Sequence, residues 1–386
     1  MIDNNMRKIP FVFGKPPCVP KAAFLDTKSL KAAEGNTGNV AFRHAIFSHL
    51  GGNLNVIGWS EKTDIVYDES RIGVIPAANQ FGAHTDYQKL SDHFDTISAK
   101  VVMIGLGAQA NLSGDLPDVG AGTVSWISAI QSLSPTDAPN ITLRGPFTKR
   151  ALEKYGLHEK AIVMGCPSLF INPDPELGLK IEKASKPSKR IAVAAGNPYW
   201  RRLNRIETSL ARMVSATNGT YVVQQTEALM HLGRGEANLI DRDERRRLRE
   251  YICPEMNTSE FIDWSQRYAH IFFDVESWIE HYRRFSCVIG ARIHGVMLAL
   301  QAGIPGICVA HDSRTLEMCQ VMKVPHLVAD DHLDGISRAT VDKIVQSFDG
   351  RAFDENRRAL AKRYVEFLES NELTPVNWLK DIAAPA

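Results

Sequence analysis

Along this chain, short apolar runs alternate with longer stretches whose apolar positions recur every three or four residues. The short runs suit strands buried on both faces and the longer period suits helices laid over them, so the pattern predicts βα units and parallel sheets. In the first half, strands are expected over 73–77, 101–104, 141–143 and 161–164, and helices over 39–50, 87–94, 124–133 and 146–155. The last of these opens on Pro146, whose missing N–H costs nothing in a first turn. Each strand empties into a loop rich in Gly, Asn, Pro or Ser.

Residues 172–189 are rich in Pro, Glu, Lys and Ser without a sustained apolar period, and read as a surface linker. The alternation then restarts, with strands over 190–195, 219–224, 271–273, 287–290 and 306–310. Helices fall between them over 202–216, up to 249, over 277–284, over 295–302 and from 313, and 341–371 reads as one further helix. The expected architecture is α/β, with two Rossmann-like lobes facing a central cleft. The lobes cover 1–180 and 188–335, and a helical tail, 336–386, can cross back to the first lobe. Facing lobes turn the carboxyl ends of their strands toward one cleft, where open α/β sheets bind ligands.

A length of 386 residues fits two cores better than one, and 44% hydrophobic with 23% charged residues is the composition of a folded chain. With 45 basic against 44 acidic side chains there is no bulk charge to draw nucleic acid or an anionic membrane. Any bound anion must be held locally. Six scattered cysteines, without a CxxC pair or a zinc spacing, read as reduced packing residues, and no metal site is expected. Residues 1–20 lack an apolar core of signal-peptide length, and no apolar run approaches a membrane span of roughly 20 residues. Together these features point to the cytoplasm. No GxGxxG opens a helix, since Gly105-Leu106-Gly107-Ala108 stops short of a third glycine, and no GxxxxGK[ST] segment occurs.

Chemistry is therefore sought in the loops after strands. Gly290-Ala291-Arg292-Ile293-His294-Gly295 joins a strand to a helix start, where free N–H groups favour an anion. Arg292 adds a two-pronged donor, His294 a proton carrier, and Gly295 room for a backbone to approach a ligand. One unit later comes His311-Asp312-Ser313-Arg314, in which His311 and Arg314 can join the same pocket while Asp312 caps a helix. Asn197 and Arg201 lie in a loop with Tyr199 and Trp200 that suits a sugar or carboxylate, or simply enters a helix. After the next strand, Gln225 offers an amide, and Glu227 either an acid or base or a helix-start charge. In the first lobe Asn36, Asn39, Asn79 and Gln109 either grip hydroxyls or turn the chain. The mixed-charge run 241–249 reads as a solvated helix face.

Taken together, Val288-Ile289-Gly290-Ala291-Arg292-Ile293-His294-Gly295, Ala302-Gly303-Ile304-Pro305 and His311-Asp312-Ser313-Arg314 resemble the carboxy-terminal signature of polysaccharide pyruvyl transferases. The loops at Asn36, Asn79, Gly105, Arg144-Gly145 and Gly165-Cys166-Pro167 resemble that family too, so the likeness spans most of 36–330. It implies a GT-B-like pair of lobes and transfer of pyruvate from phosphoenolpyruvate onto two hydroxyls of one sugar, forming a cyclic ketal and releasing phosphate. It also implies that Arg292 and His294 contact the donor, with Arg201 a less distinctive match. The chemistry then makes His294 the candidate acid, as imidazolium, Arg292 the candidate to steady the leaving phosphate, and Glu227 or Asp312 a candidate base. No cofactor is expected. The implied partners are phosphoenolpyruvate on the second lobe and, on the first, a sugar of a cell-surface or exported polysaccharide or of its lipid-linked precursor, with peripheral membrane contact left open. The chain departs from the family's aspartate-containing pattern at Cys166-Pro167-Ser168. A nucleotide-sugar glycosyltransferase and a non-catalytic sugar or phosphorylated-acid binding protein share these features and stand as alternatives.

Overall fold

The computed structural model describes residues 9–110, 112, 114–187 and 189–385. Residues 1–8 of the amino terminus, and position 188 where the second lobe is expected to begin, lie outside the described residues.

The first sheet contains β1 (Phe11–Phe13), β2 (Asn55–Ile57), β3 (Ile72–Pro76), β4 (Lys100–Leu106), β5 (Ile141–Leu143) and β6 (Ala161–Val163). The second contains β7 (Ile191–Ala194), β8 (Thr220–Val222), β9 (Ala269–His270), β10 (Cys287–Gly290), β11 (Gly306–Ala310) and β12 (His326–Val328). Both are six-stranded, in the orders β2-β1-β3-β4-β5-β6 and β12-β11-β10-β7-β8-β9. Every pairing is parallel. The second order is that of a Rossmann sheet, with its switch point between β7 and β10. In the first sheet the order reverses between β1 and β3. The two lobes are Rossmann-like, as the alternation of runs predicts.

Strands β3, β4, β10 and β11 are buried almost throughout, because helices cover both faces of each sheet. The two-residue β9 precedes the run 271–273 that the pattern marks as strand. Strands β1, β2 and β12, three residues each, have no counterpart in the pattern reading, nor has helix Thr27–Ala33. The segment 172–189 is not an open linker, since it holds helix Leu177–Ala184. Leu177 and Ile181, one turn apart, bury its only apolar face. The expected helix over 341–371 is two, Arg338–Gln346 and Gly350–Ser370, the second restarted by Asp349, whose carboxylate accepts from the Ala352 N–H at 2.8 Å.

Two connections bind the lobes beyond the interface of their cores. After β1 the chain crosses to the second lobe, where Val19 N–H donates to Phe273 O (3.0 Å), Thr27 Oγ1 to Glu236 Oε2 (2.5 Å) and Thr37 N–H to Gln224 O (2.7 Å). The tail returns to the first lobe, where the fully buried Arg357 donates to Leu169 O (3.1 Å) and Asp174 O (2.6 Å) and Val376 N–H donates to His49 O (2.9 Å).

Candidate functional site

The cleft between the carboxyl ends of the two sheets contains a cavity of about 300 Å³. Its second-lobe wall begins at the switch point. β10 ends at Gly290, where a side chain would strike Ala194 O of β7, so the two strands lie backbone to backbone. The chain then enters helix Ile293–Gln301 through Arg292, and every residue of that helix is buried. Such a helix can only sit in the core, and its amino end opens on the cavity.

Ten of the residues singled out in the sequence line this one space: Asn36, Asn39, Asn79 and Gln109 from the first lobe, and Asn197, Gln225, Arg292, His294, His311 and Arg314 from the second. The arginines dominate its electrostatics. Arg292 lies with its guanidinium 4.5 Å from the Trp200 ring centroid, and its Nε and Nη2 are buried without a hydrogen-bond partner. Nε of Arg314 is likewise unpartnered, while its Nη2 stands 3.5 Å from Asp312 Oδ2. Burial, then the facing charge of Arg314, lowers Arg292 to about 10, which leaves it charged at neutral pH. Buried donors without acceptors are costly, so a cluster of them facing a cavity suits an anion. Gln224 adds an unpartnered amide nitrogen, and its backbone carbonyl accepts from the Thr37 N–H of the first-lobe loop, where Asn36 bridges to Gln225.

His294 is buried and packs its ring 5.4 Å from Phe42. Burial first, then the guanidinium groups of Arg144, Arg314, Arg292 and Arg43, push it well below the usual imidazole range. At neutral pH this favours the uncharged ring. The imidazolium expected from the resemblance therefore needs a source of charge or protons that the residue itself does not supply.

Three of the residues singled out in the sequence do not line this cavity. Glu227 is exposed on the first turn of helix Glu227–Gly233 and does not line the cavity. The backbone swings outward at Thr226, a β-branched residue at φ 66°, so Gln224 and Gln225 face inward and Glu227 faces away. Gly295 faces no ligand space, because an added side chain would meet Gln224 Nε2 and Ala194 Cβ. Its role is packing under Gln224. Arg201 is exposed in the turn Arg201–Leu203 and lines, with His84, Trp200, Arg202 and His311, an adjoining recess of about 440 Å³.

Asp312 is both cap and counter-charge. Its Oδ1 accepts from Thr315 N–H at 2.7 Å, and although burial opposes ionisation, Arg314 and His311 hold its carboxyl at about 2. A carboxylate that weakly basic is a poor proton acceptor at neutral pH. Burial lowers His311 to about 4, and its ring lies 4.1 Å from that of Trp200.

Two buried supports escaped the sequence reading because they lie within helices rather than after strands. Glu207 accepts from Tyr221 Oη (2.5 Å) and Gly196 N–H (3.1 Å) beneath Arg292, and burial raises its carboxyl. Glu317 accepts from Thr148 N–H (3.1 Å) and Oγ1 (2.6 Å), so a second-lobe carboxylate caps the first-lobe helix Pro146–Glu153. The fully buried Arg144 donates to Gly105 O (2.8 Å) and Ala77 O (3.2 Å), tying together the loops after β3, β4 and β5. Among the described residues no cluster of three or more His, Cys, Asp or Glu is placed to hold a metal ion, and no helix is long and apolar enough to cross a membrane. None of the six cysteines is in a disulfide.

Among solved structures, the UDP-GlcNAc 2-epimerase of Methanocaldococcus jannaschii is 9% identical, with 93% of this chain and 99% of that chain covered and a TM-score of 0.44. S. aureus MnaA is 10% identical over 94% and 97% of the two chains, with a TM-score of 0.45. The UDP-N-acetylglucosamine 2-epimerase of Rickettsia bellii is 11% identical over 95% and 97%, with a TM-score of 0.42. No curated protein gives a significant match. The family model of polysaccharide pyruvyl transferases matches residues 85–313, a span running from the first-lobe loops through Arg292 and His294 to the start of the helix after His311, and the chain belongs to that family.

Proposed function

We propose that the enzyme transfers pyruvate from phosphoenolpyruvate to two hydroxyls of a saccharide, free or lipid-linked, forming a cyclic ketal and releasing phosphate. The observation that carries this reading is the set of unpartnered guanidinium donors of Arg292 and Arg314 around one small cavity. A compact ligand with a carboxylate and a phosphate offers acceptors to all of them, and Arg292 can engage either group as a fork. The adjoining recess shares Gln109, Trp200 and His311 with the cavity, so an acceptor seated there presents hydroxyls to the donor.

The reaction needs a proton at the methylene carbon, attack of one hydroxyl at C2, loss of phosphate, and attack of the second hydroxyl. Arg292 and Arg314 stabilise the departing phosphate, and His294 reaches the donor to move the proton. The chemistry calls for no cofactor, and the substrates place the protein in the cytoplasm.

The test is mass spectrometry of candidate saccharides incubated with enzyme and phosphoenolpyruvate. A product carrying one ketal-linked pyruvate, with phosphate released in equal amount, is the expected result. Turnover only with a nucleotide sugar would overturn the reading. Arg292→Lys keeps the charge but loses the fork, and should lower kcat/KM by roughly 10²-fold with little change in melting temperature. An unaltered rate would remove Arg292 from its role.

A further inference from the structure

The proton for the donor needs a source, since burial and four arginines disfavour the charged form of His294. Its Nε2 points away from solvent toward Cys166 Sγ, 3.8 Å off and within hydrogen-bonding range for sulfur. That contact is the one hydrogen bond the ring makes among the described residues, and His294 otherwise lines the cavity. Cys166 is 1% exposed at the end of the loop after β6. Its Sγ accepts from Ser168 Oγ at 3.1 Å and its N–H donates to Met322 Sδ at 3.3 Å, so both sulfur and backbone are fixed in place. With Ser168 donating to the sulfur, Nε2 is the acceptor left for the thiol's own proton. As a thiolate, Cys166 would be the strongest of the groups that favour the charge of the buried Arg144.

Building on the proposed pyruvyl transfer, we infer that Cys166 is the proton reserve of the site and acts through His294. The thiol holds the imidazole as its Nδ1–H tautomer, with that N–H offered to the cavity. When the donor is protonated, the S–H bond breaks as a proton passes to Nε2, and the Nδ1–H bond breaks as its proton forms the new C–H bond of the methyl group. The sulfur is left as a thiolate beside Arg144. The first sugar hydroxyl, attacking C2, gives its proton to Nδ1, and Nε2 returns one to the sulfur, so the relay ends as it began. The second hydroxyl's proton leaves with phosphate. Two hydroxyl protons are consumed, one in the methyl group and one on phosphate, and no redox partner is required. Cys166 does not touch substrate. It is a positioning residue and a proton store, framed by Arg144, Arg314, Arg292 and Arg43 around His294, and by Tyr364 on its own far side.

Two measurements test this on the full-length protein. In the absence of phosphoenolpyruvate, ¹⁵N spectra of histidine-labelled protein should show His294 as the Nδ1–H tautomer in the wild type, and a changed Nε2 signal in Cys166→Ala. Under turnover, Cys166→Ser and Cys166→Ala should keep the rise in melting temperature produced by phosphoenolpyruvate but lose roughly 10²-fold or more in kcat. Cys166→Asp, which restores an ionisable acid, should recover part of the loss and move the pH optimum downward. Wild-type kcat in Cys166→Ser, or an Nε2–H tautomer in the wild type, overturns the relay. Absence of pyruvyl transfer by the wild type, with the Nδ1–H tautomer present and sensitive to Cys166→Ala, overturns the functional reading and leaves the Cys166–His294 pair established.

Discussion

At the scale of single residues, the site gathers like charges that an anion would balance. The charge of Arg314 helps lower Arg144 and Arg292, all three arginines help lower His294, and Arg292 and Arg314 leave donors unpartnered. Repulsion of this kind destabilises the empty protein and is relieved by a bound anion. Phosphoenolpyruvate and inorganic phosphate should therefore both raise the melting temperature. At 100 times its dissociation constant, a ligand of the native state adds about 2.7 kcal/mol. Arg314→Ala should shrink that shift while raising the melting temperature of the unliganded enzyme, because it removes one of the repelling charges. A variant less stable than wild type in both conditions would show that the pairing of Arg314 with Asp312 outweighs the repulsion.

At the scale of elements, packing rests on a few points where backbone meets backbone. Helix Leu177–Ala184 meets the start of helix Gly350–Ser370 at Gly178 and Gly350, where a side chain on either would strike the other's carbonyl oxygen. Gly178→Ala should lower stability by about 1–3 kcal/mol in urea unfolding, despite the better helix propensity of alanine. A neutral or stabilising result would mean that the tail docks loosely. This contact also explains what the sequence withheld. The strands on which the site stands, β3, β4, β5, β10 and β11, are apolar runs bounded by turn residues, and their terminal loops were legible as the place for Arg292 and His294. Helix Leu177–Ala184 shows only Leu177 and Ile181 as a period, too little to separate from linker until its partner helix is present. Helix Thr258–Tyr268 did leave a mark, the capping box of Asn257 and Glu260, which apolar periodicity alone passes over. Glu227 and Glu207 fail in opposite directions for one reason. Burial and facing are tertiary facts, so the carboxylate after a strand points to solvent while the one inside a helix supports the site.

At the scale of the whole molecule, the lobes are held by a crossing near each end of the chain, and one of the two depends on pH. His49, in helix Asn39–His49 of the first lobe, is fully buried against the tail, with Nδ1 3.4 Å from Tyr364 Oη and Nε2 3.3 Å from Phe170 O, and its ring 5.4 Å from that of Trp378. Burial lowers it to about 3, against an ordinary value of 6.5. The unfolded chain therefore takes up a proton below pH 6.5 that the folded chain refuses, so stability is complete above that pH and falls as pH drops from 6.5 toward 3. At about 1.4 kcal/mol per pH unit this one residue can cost a few kcal/mol. Burial lowers His281 in the same direction, to about 4, but His281 lies in the second lobe, away from the tail, whereas Glu207 and Glu317 are raised and oppose the trend. The contribution of His49 is thus best isolated by difference. His49→Gln should be less stable than wild type at pH 7, where the lost contacts count in full, and the gap should narrow steadily as urea midpoints are followed from pH 6.5 down to 4. Because His49 meets the tail, the same acidification should release residues after Ser370 first, seen as faster amide exchange there than in β10. A gap that stays constant with pH, or a tail that exchanges no faster than β10, would show that His49 does not control the second crossing, which then rests on Arg357 and the packing of the tail.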